Sequence, residues 1–111
     1  MASYNTFVVD QPTESGARRC ELQARVGVLD LREIRIGEPI LTEPLGEIRG
    51  TIGPSLEALQ GDRPFWVYGI GVCEGSDVER CAKLHFRDGV FVSAEFVECP
   101  DNLYEWGFEE P

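Results

Sequence analysis

The stretch FWVYGIGVCEGSDVERCAKLHFRDGVFVSAEFV, residues 65–97, decides the fold. It holds three runs rich in β-branched and aromatic residues, Phe65–Cys73, Cys81–Phe86 and Val90–Val97, with turn residues between them. Short runs of this composition bounded by glycine and acidic turn residues read as strands. Arg87-Asp88-Gly89 between the last two runs allows two turns. A two-residue Asp-Gly loop pairs Arg87 with Val90; a three-residue loop with Gly89 left-handed in a bulge pairs Phe86 with Val90. A slip of one residue moves every side chain to the other face, so matching faces should choose between them. The three-residue loop aligns Leu84 with Val92 and Ala82 with Ala94, and is the one expected.

Placing Cys73 opposite Cys81 across the loop Glu74–Arg80 extends the scheme to the first run. Val72 then meets Ala82, Ile70 meets Leu84 and Tyr68 meets Phe86. One face of the meander becomes Trp66, Tyr68, Ile70, Val72, Ala82, Leu84, Phe86, Val90, Val92, Ala94 and Phe96, an apolar core face. The other carries Lys83, His85, Ser93 and Glu95 beside Gly69 and Gly71, but also Phe65, Val67, Phe91 and Val97. Both faces therefore need some cover.

Upstream, Ser3–Asp10 reads as a first strand and Gln11–Gly16 as a loop. From Cys20 to Val28, apolar and polar residues alternate, the mark of a half-buried strand. Ile34 and Ile36 continue the pattern weakly as far as Gly37-Glu38-Pro39. Ile40–Thr42 and Glu47–Ile52 are short extended candidates. Pro54–Gly61, with proline near its start and glycine as a stop, predicts the one short helix. The expected architecture is mainly β with a minor α component. It is an antiparallel curled sheet or small β-barrel of about six strands, because a single flat sheet could not cover both apolar faces.

A length of 111 residues allows one domain, 1–111. Its 42% apolar content lies well above that of chains too polar to build a core. The longest stretch without a charge, Pro64–Cys73, is about half of what a membrane span needs. No basic-then-apolar region opens the sequence, so no secretory leader and a cytoplasmic location are expected. On that expectation Cys20, Cys73, Cys81 and Cys99 are reduced, buried thiols, with a Cys73–Cys81 bridge as the alternative.

Chemistry-bearing motifs are sparse. Gly69-Ile70-Gly71 lacks the third glycine and following helix of a dinucleotide site. The cysteines lack the paired spacing of zinc ligands, and His85 is the only histidine. Cys81 and His85 lie about 13 Å apart along one strand, too far for a nucleophile–base pair. The sequence thus points to no enzyme, no metal and no cofactor.

Charge is the remaining signal. Twenty acids against ten bases give −10, which repels phosphate backbones and argues against nucleic-acid binding. Residues 88–111 hold seven acids and no base. The acidic-aromatic segment 99–111 includes Leu103-Tyr104-Glu105-Trp106-Gly107-Phe108. Disordered tails avoid aromatics, whereas interface centres favour them. These rings either fold back on their own core or anchor a partner. The expected binding surface is Glu95, Glu98, Asp101, Tyr104, Glu105, Trp106, Glu109 and Glu110, directed at a basic partner such as a toxin or nuclease. In size, acidity and lack of motifs the chain is similar in general terms to immunity proteins, antitoxins and phage-encoded anti-CRISPR-type inhibitors. The alternatives are a β-barrel ligand-binding protein or enzyme with a pocket near Trp66, Tyr68 and His85, and an accessory subunit of a complex.

Overall fold

The computed structural model describes residues 4–14, 16–26, 32–40, 64–103 and 105–109. Seven strands follow in chain order: β1 (Asn5–Thr13), β2 (Gly16–Ala24), β3 (Glu33–Arg35), β4 (Phe65–Cys73), β5 (Arg80–Arg87), β6 (Val90–Val97) and β7 (Trp106–Phe108). They form one sheet in the order β3-β1-β2-β4-β5-β6, with β7 paired to β4 off that path. The sheet is open and curls into a half-barrel, the mainly β class its composition implies. Only β1 and β3 run parallel. The short helix at 54–61 and the extended candidates at 41–42 and 47–52 lie outside the described residues.

The N-terminal hairpin is longer and tighter than its sequence suggests. Thr13 pairs with Gly16, so most of the expected loop 11–16 belongs to the strands. The register sets Phe7 beside Leu22 and Val9 beside Cys20, burying all four. Asn5 is the one fully buried polar side chain among the described residues. Its amide donates to the Val26 carbonyl at 3.1 Å and accepts from the Arg32 N–H at 3.2 Å. It thereby supplies partners for backbone groups on both sides of 27–31, as buried polar groups require.

The β5–β6 hairpin corrects the expected turn. Arg87 pairs with Val90 across a two-residue Asp88-Gly89 loop, and Phe86 pairs with Phe91 instead of Val90. Asp88 (φ 54°) and Gly89 (φ 75°) are both left-handed, the pattern of a turn whose twist matches the strands. The extra residue sits farther along: His85 pairs with Ser93, which leaves Val92 in a bulge. That bulge restores the parity lost at the turn. Ala82, Leu84 and Phe86 thus share the inner face with Phe91, Ala94 and Phe96. Turn chemistry and face matching are both satisfied, and Val92 is left 42% exposed.

The face of β4 is corrected as well. Ile70, not Cys73, has Cys81 as neighbour or nearest partner on β5, and Phe65, Val67 and Gly69 lie opposite Phe86, Leu84 and Ala82. Phe65, Val67 and Cys73 are buried, while Trp66, Tyr68 and Ile70 are half-buried on the outer face and Val72 is exposed. Glycine explains the choice. A Cβ on Gly71 would lie 1.8 Å from the Glu21 carbonyl oxygen, and one on Gly69 would lie 2.9 Å from Leu84 Cδ1. Those two positions are where β2 and the β5 core press on β4, so the face carrying them points inward.

The cysteines also depart from expectation. Cys20 bridges Cys73 between paired β2 and β4, and Cys81 bridges Cys99. No free thiol remains. Four phenylalanines fill the centre: Phe86 stacks on Phe65 at 4.9 Å, and Phe7 meets Phe86 and Phe91 edge-on at 5.6 and 5.1 Å. Residues 37–40 cross from β3 to the start of β6. There the Gly37 N–H donates to the Phe91 carbonyl, Phe91 to Glu38, and Ile40 to Gly89. These bonds join the two edges of the half-barrel at one end.

Candidate functional site

β7 shares an edge of β4 with β2. β5 occupies the other edge from Phe65 to Gly71, so the C-terminal half of β4 receives β2 and its N-terminal half receives β7. Antiparallel alternation turns Trp106 and Phe108 inward, half-buried against the core and edge-to-face at 5.4 Å. Between them, Gly107 backs onto Trp66: a Cβ there would come within 3.1 Å of the indole. The Glu109 N–H donates to the Pro64 carbonyl at 2.8 Å, and its carboxylate pairs with His85 Nδ1. Trp106 and Phe108 are therefore part of the fold.

Most of the residues of the expected acidic surface can be placed on the fold. Glu95 projects from β6 opposite Lys83, exposed. Glu98 is exposed beside the Cys81–Cys99 bridge, and Asp101 and Glu105 are exposed on the following segment. Glu109 is half-buried against His85. Tyr104 and Glu110 fall outside the described residues.

The outer aromatic row is occupied by its own neighbours. Trp66 and Tyr68 meet edge-to-face at 5.2 Å, and Lys83 Nζ sits 4.5 Å from the Trp66 ring and 6.0 Å from that of Tyr68. His85 is engaged by Glu109. Trp66, Tyr68 and His85 thus form a surface row, and Tyr68 also lines a cleft. Cys81 is tied into a disulfide and offers no thiolate.

Two concavities stand out. The first, about 640 Å³, lies where the β4–β5 connection faces the end of β6. Val78, Glu79, Arg80, Phe96, Val97 and Glu98 line it, with the Cys81–Cys99 bridge alongside and the Arg80 guanidinium 5.9 Å from the Phe96 ring centroid. Val78 is 65% exposed, the most exposed large apolar residue described. Glu74, Asp77 and Glu79 all stand exposed on the same connection. The sequence marks Glu74–Arg80 only as a loop between two strands. The available signal was a lone valine inside an acidic turn, close by a cysteine that had to find a partner. The second, about 500 Å³, opens between the end of β2, the middle of β4 and residues 100–103.

Among the described residues no group of three His, Cys, Asp or Glu side chains is placed to hold a metal ion. No helix among them is long and apolar enough to cross a membrane. Comparison with known protein families, characterised proteins and solved structures finds no match.

Proposed function

We propose that the protein is a small acidic binding module that docks on and blocks a basic, nucleic-acid-handling protein. One observation carries this reading: exposed Val78 lines a groove with Phe96, Val97 and the acids Glu79 and Glu98, and the one cation of that lining, Arg80, is laid over the Phe96 ring. Exposed apolar surface framed by acid is the anatomy of an interface that steers by charge and holds by burial. Glu74 and Asp77 stand exposed on the same connection, and with a net charge of −10 the chain draws cationic surfaces toward it. The Cys81–Cys99 bridge fixes the groove wall before a partner arrives, which reduces the ordering cost of binding.

The reading assigns no catalytic step. It is supported by the engagement of His85 with Glu109 and of Cys81 with Cys99. Because disulfides persist where thiols are oxidised, the proposal places the encounter in an oxidising compartment, against the cytoplasmic expectation.

The test is surface plasmon resonance against a panel of cationic nucleases across a salt series. A true partner associates about tenfold or more faster at low than at physiological salt. Glu79→Gln with Glu98→Gln slows association and flattens that salt dependence, while Val78→Ser speeds dissociation. Binding that is indifferent to all three substitutions refutes the groove. A panel with no micromolar binder even at low salt refutes the function.

A further inference from the structure

The second concavity arises from a fork in the sheet. β2 stops pairing with β4 at Ile70, and β7 begins pairing at Val67. Tyr68 and Gly69 lie between these two partners on the same edge, and the cleft opens at that divergence. It shares no lining residue with the acidic groove. Its volume falls within the range of about 300–1,000 Å³ typical of small-molecule sites.

The geometry points to this cleft as a binding site for a neutral, polyhydroxylated ring: a sugar or sugar-like ligand. Its lining supplies two phenol rings, Tyr4 and Tyr68, and four planar polar groups, Gln23, Arg25, Asp101 and Asn102. Charge sets the first condition. One arginine and one aspartate balance inside the cleft, while the chain as a whole carries −10 and repels anions. An ion of either sign would meet a like charge in the cleft, Arg25 or Asp101. A neutral ligand meets neither penalty.

Polarity sets the second condition. An apolar molecule would cover the exposed Gln23 amide and Asp101 carboxylate without offering them a partner, and buried polar groups left unpaired are costly. Gln23 and Asp101, both exposed, each carry two adjacent polar atoms that can engage neighbouring hydroxyls in pairs. The aromatic rings set the third condition, since they suit the C–H face of a ring. Stacking there buries apolar surface without needing further hydrogen bonds. A ring with one apolar face and an edge of vicinal hydroxyls meets all three.

The experiment is ¹⁵N-NMR titration of the intact oxidised protein with methyl glucoside, methyl galactoside and N-acetylglucosamine. Adenosine and glucuronate serve as comparison ligands. At least one neutral sugar shifts the amides of Gln23, Tyr68, Asp101 and Leu103 saturably, with a dissociation constant on the order of millimolar. Glucuronate binds several-fold more weakly. Asp101→Ala, on an exposed segment, weakens the sugar about tenfold while leaving the rest of the spectrum in place. Tyr68→Ala abolishes binding, and Tyr68→Phe retains it if stacking is the contribution. Absence of saturable shifts up to about 50 mM of every neutral sugar overturns the assignment. So does tighter binding of adenosine than of any sugar, or shifts confined to residues 74–80.

Discussion

Removing the Cys20–Cys73 bridge should destabilise the protein more than removing Cys81–Cys99, and the structure sets the difference. The first closes a span of 53 residues and the second one of 18. Chain-entropy reasoning then assigns about 4 kcal/mol to the first and about 3 kcal/mol to the second. Burial widens the gap. Cys20 and Cys73 are both buried between β2 and β4, whereas Cys99 is exposed. Replacing the inner pair by alanine therefore also leaves a small void, adding about 1 kcal/mol. Domains of this size are stable by roughly 5–15 kcal/mol, so the Cys20→Ala, Cys73→Ala protein should sit near the margin of folding. The Cys81→Ala, Cys99→Ala protein should remain folded. Urea denaturation measures both, and the slope should rise in each variant because the unbridged denatured chain exposes more surface. A preliminary alkylation in urea without reductant should modify no cysteine, since all four are paired. Four alkylated thiols, or an outer bridge that costs more than the inner one, would refute the reasoning.

Gly71→Ala should cost about 2–3 kcal/mol, because its Cβ meets the Glu21 backbone, while Gly69→Ala should cost about 1 kcal/mol because the Leu84 tip can turn aside; thermal melts of the two variants decide it. Phe86→Ala should cost about 3–5 kcal/mol and Leu84→Ala about 2–5 kcal/mol, whereas Val92→Ala at the bulge should fall within about 0.5 kcal/mol. An equal midpoint shift for Phe86 and Val92 would contradict the bulged register. Glu109→Ala should speed hydrogen exchange at Trp106–Phe108 more than at Val90–Val97, since the His85 pairing fastens the end of β7. Trp106→Ala should lower stability by about 2 kcal/mol as a half-buried truncation, yet leave affinity for a basic partner intact at temperatures where the variant is folded.

What could be read from the sequence was whatever is local. The β5–β6 hairpin is visible as two short apolar runs around Asp88-Gly89, and the alternation of Cys20–Ala24 marks β2 directly. The turn was misjudged because two local rules pulled apart. Asp-Gly favours a two-residue loop, while the inner residues of both strands need an odd one. The chain meets both with a bulge at Val92, and no turn rule predicts where such a bulge falls. On β4 both faces are apolar, so period two could not choose between Phe65-Val67 and Trp66-Tyr68. The deciding contacts come from β2, far away in sequence, through Cys20 and the Glu21 backbone. Even so, Gly69 and Gly71 share parity with Cys73, and glycine on alternate positions of a strand marks close backbone approach.

The candidate sites follow from the same feature of β4. Because one of its edges serves two partners in turn, β7 must leave the line of β2, and the chain between β6 and β7 must cross the end of the sheet to reach it. That crossing places residues 100–103 against Tyr68 and opens the cleft. The Cys81–Cys99 bridge anchors the start of the crossing and gives the acidic groove its fixed wall. The acids of the C-terminal third then stand in different surroundings: Glu98 in the groove, Asp101 in the cleft, Glu95 opposite Lys83 and Glu109 against His85. Charge read along the chain suggested one binding surface. The sheet divides it into two concavities of different chemistry, and substitutions at Glu98 and Asp101 separate them.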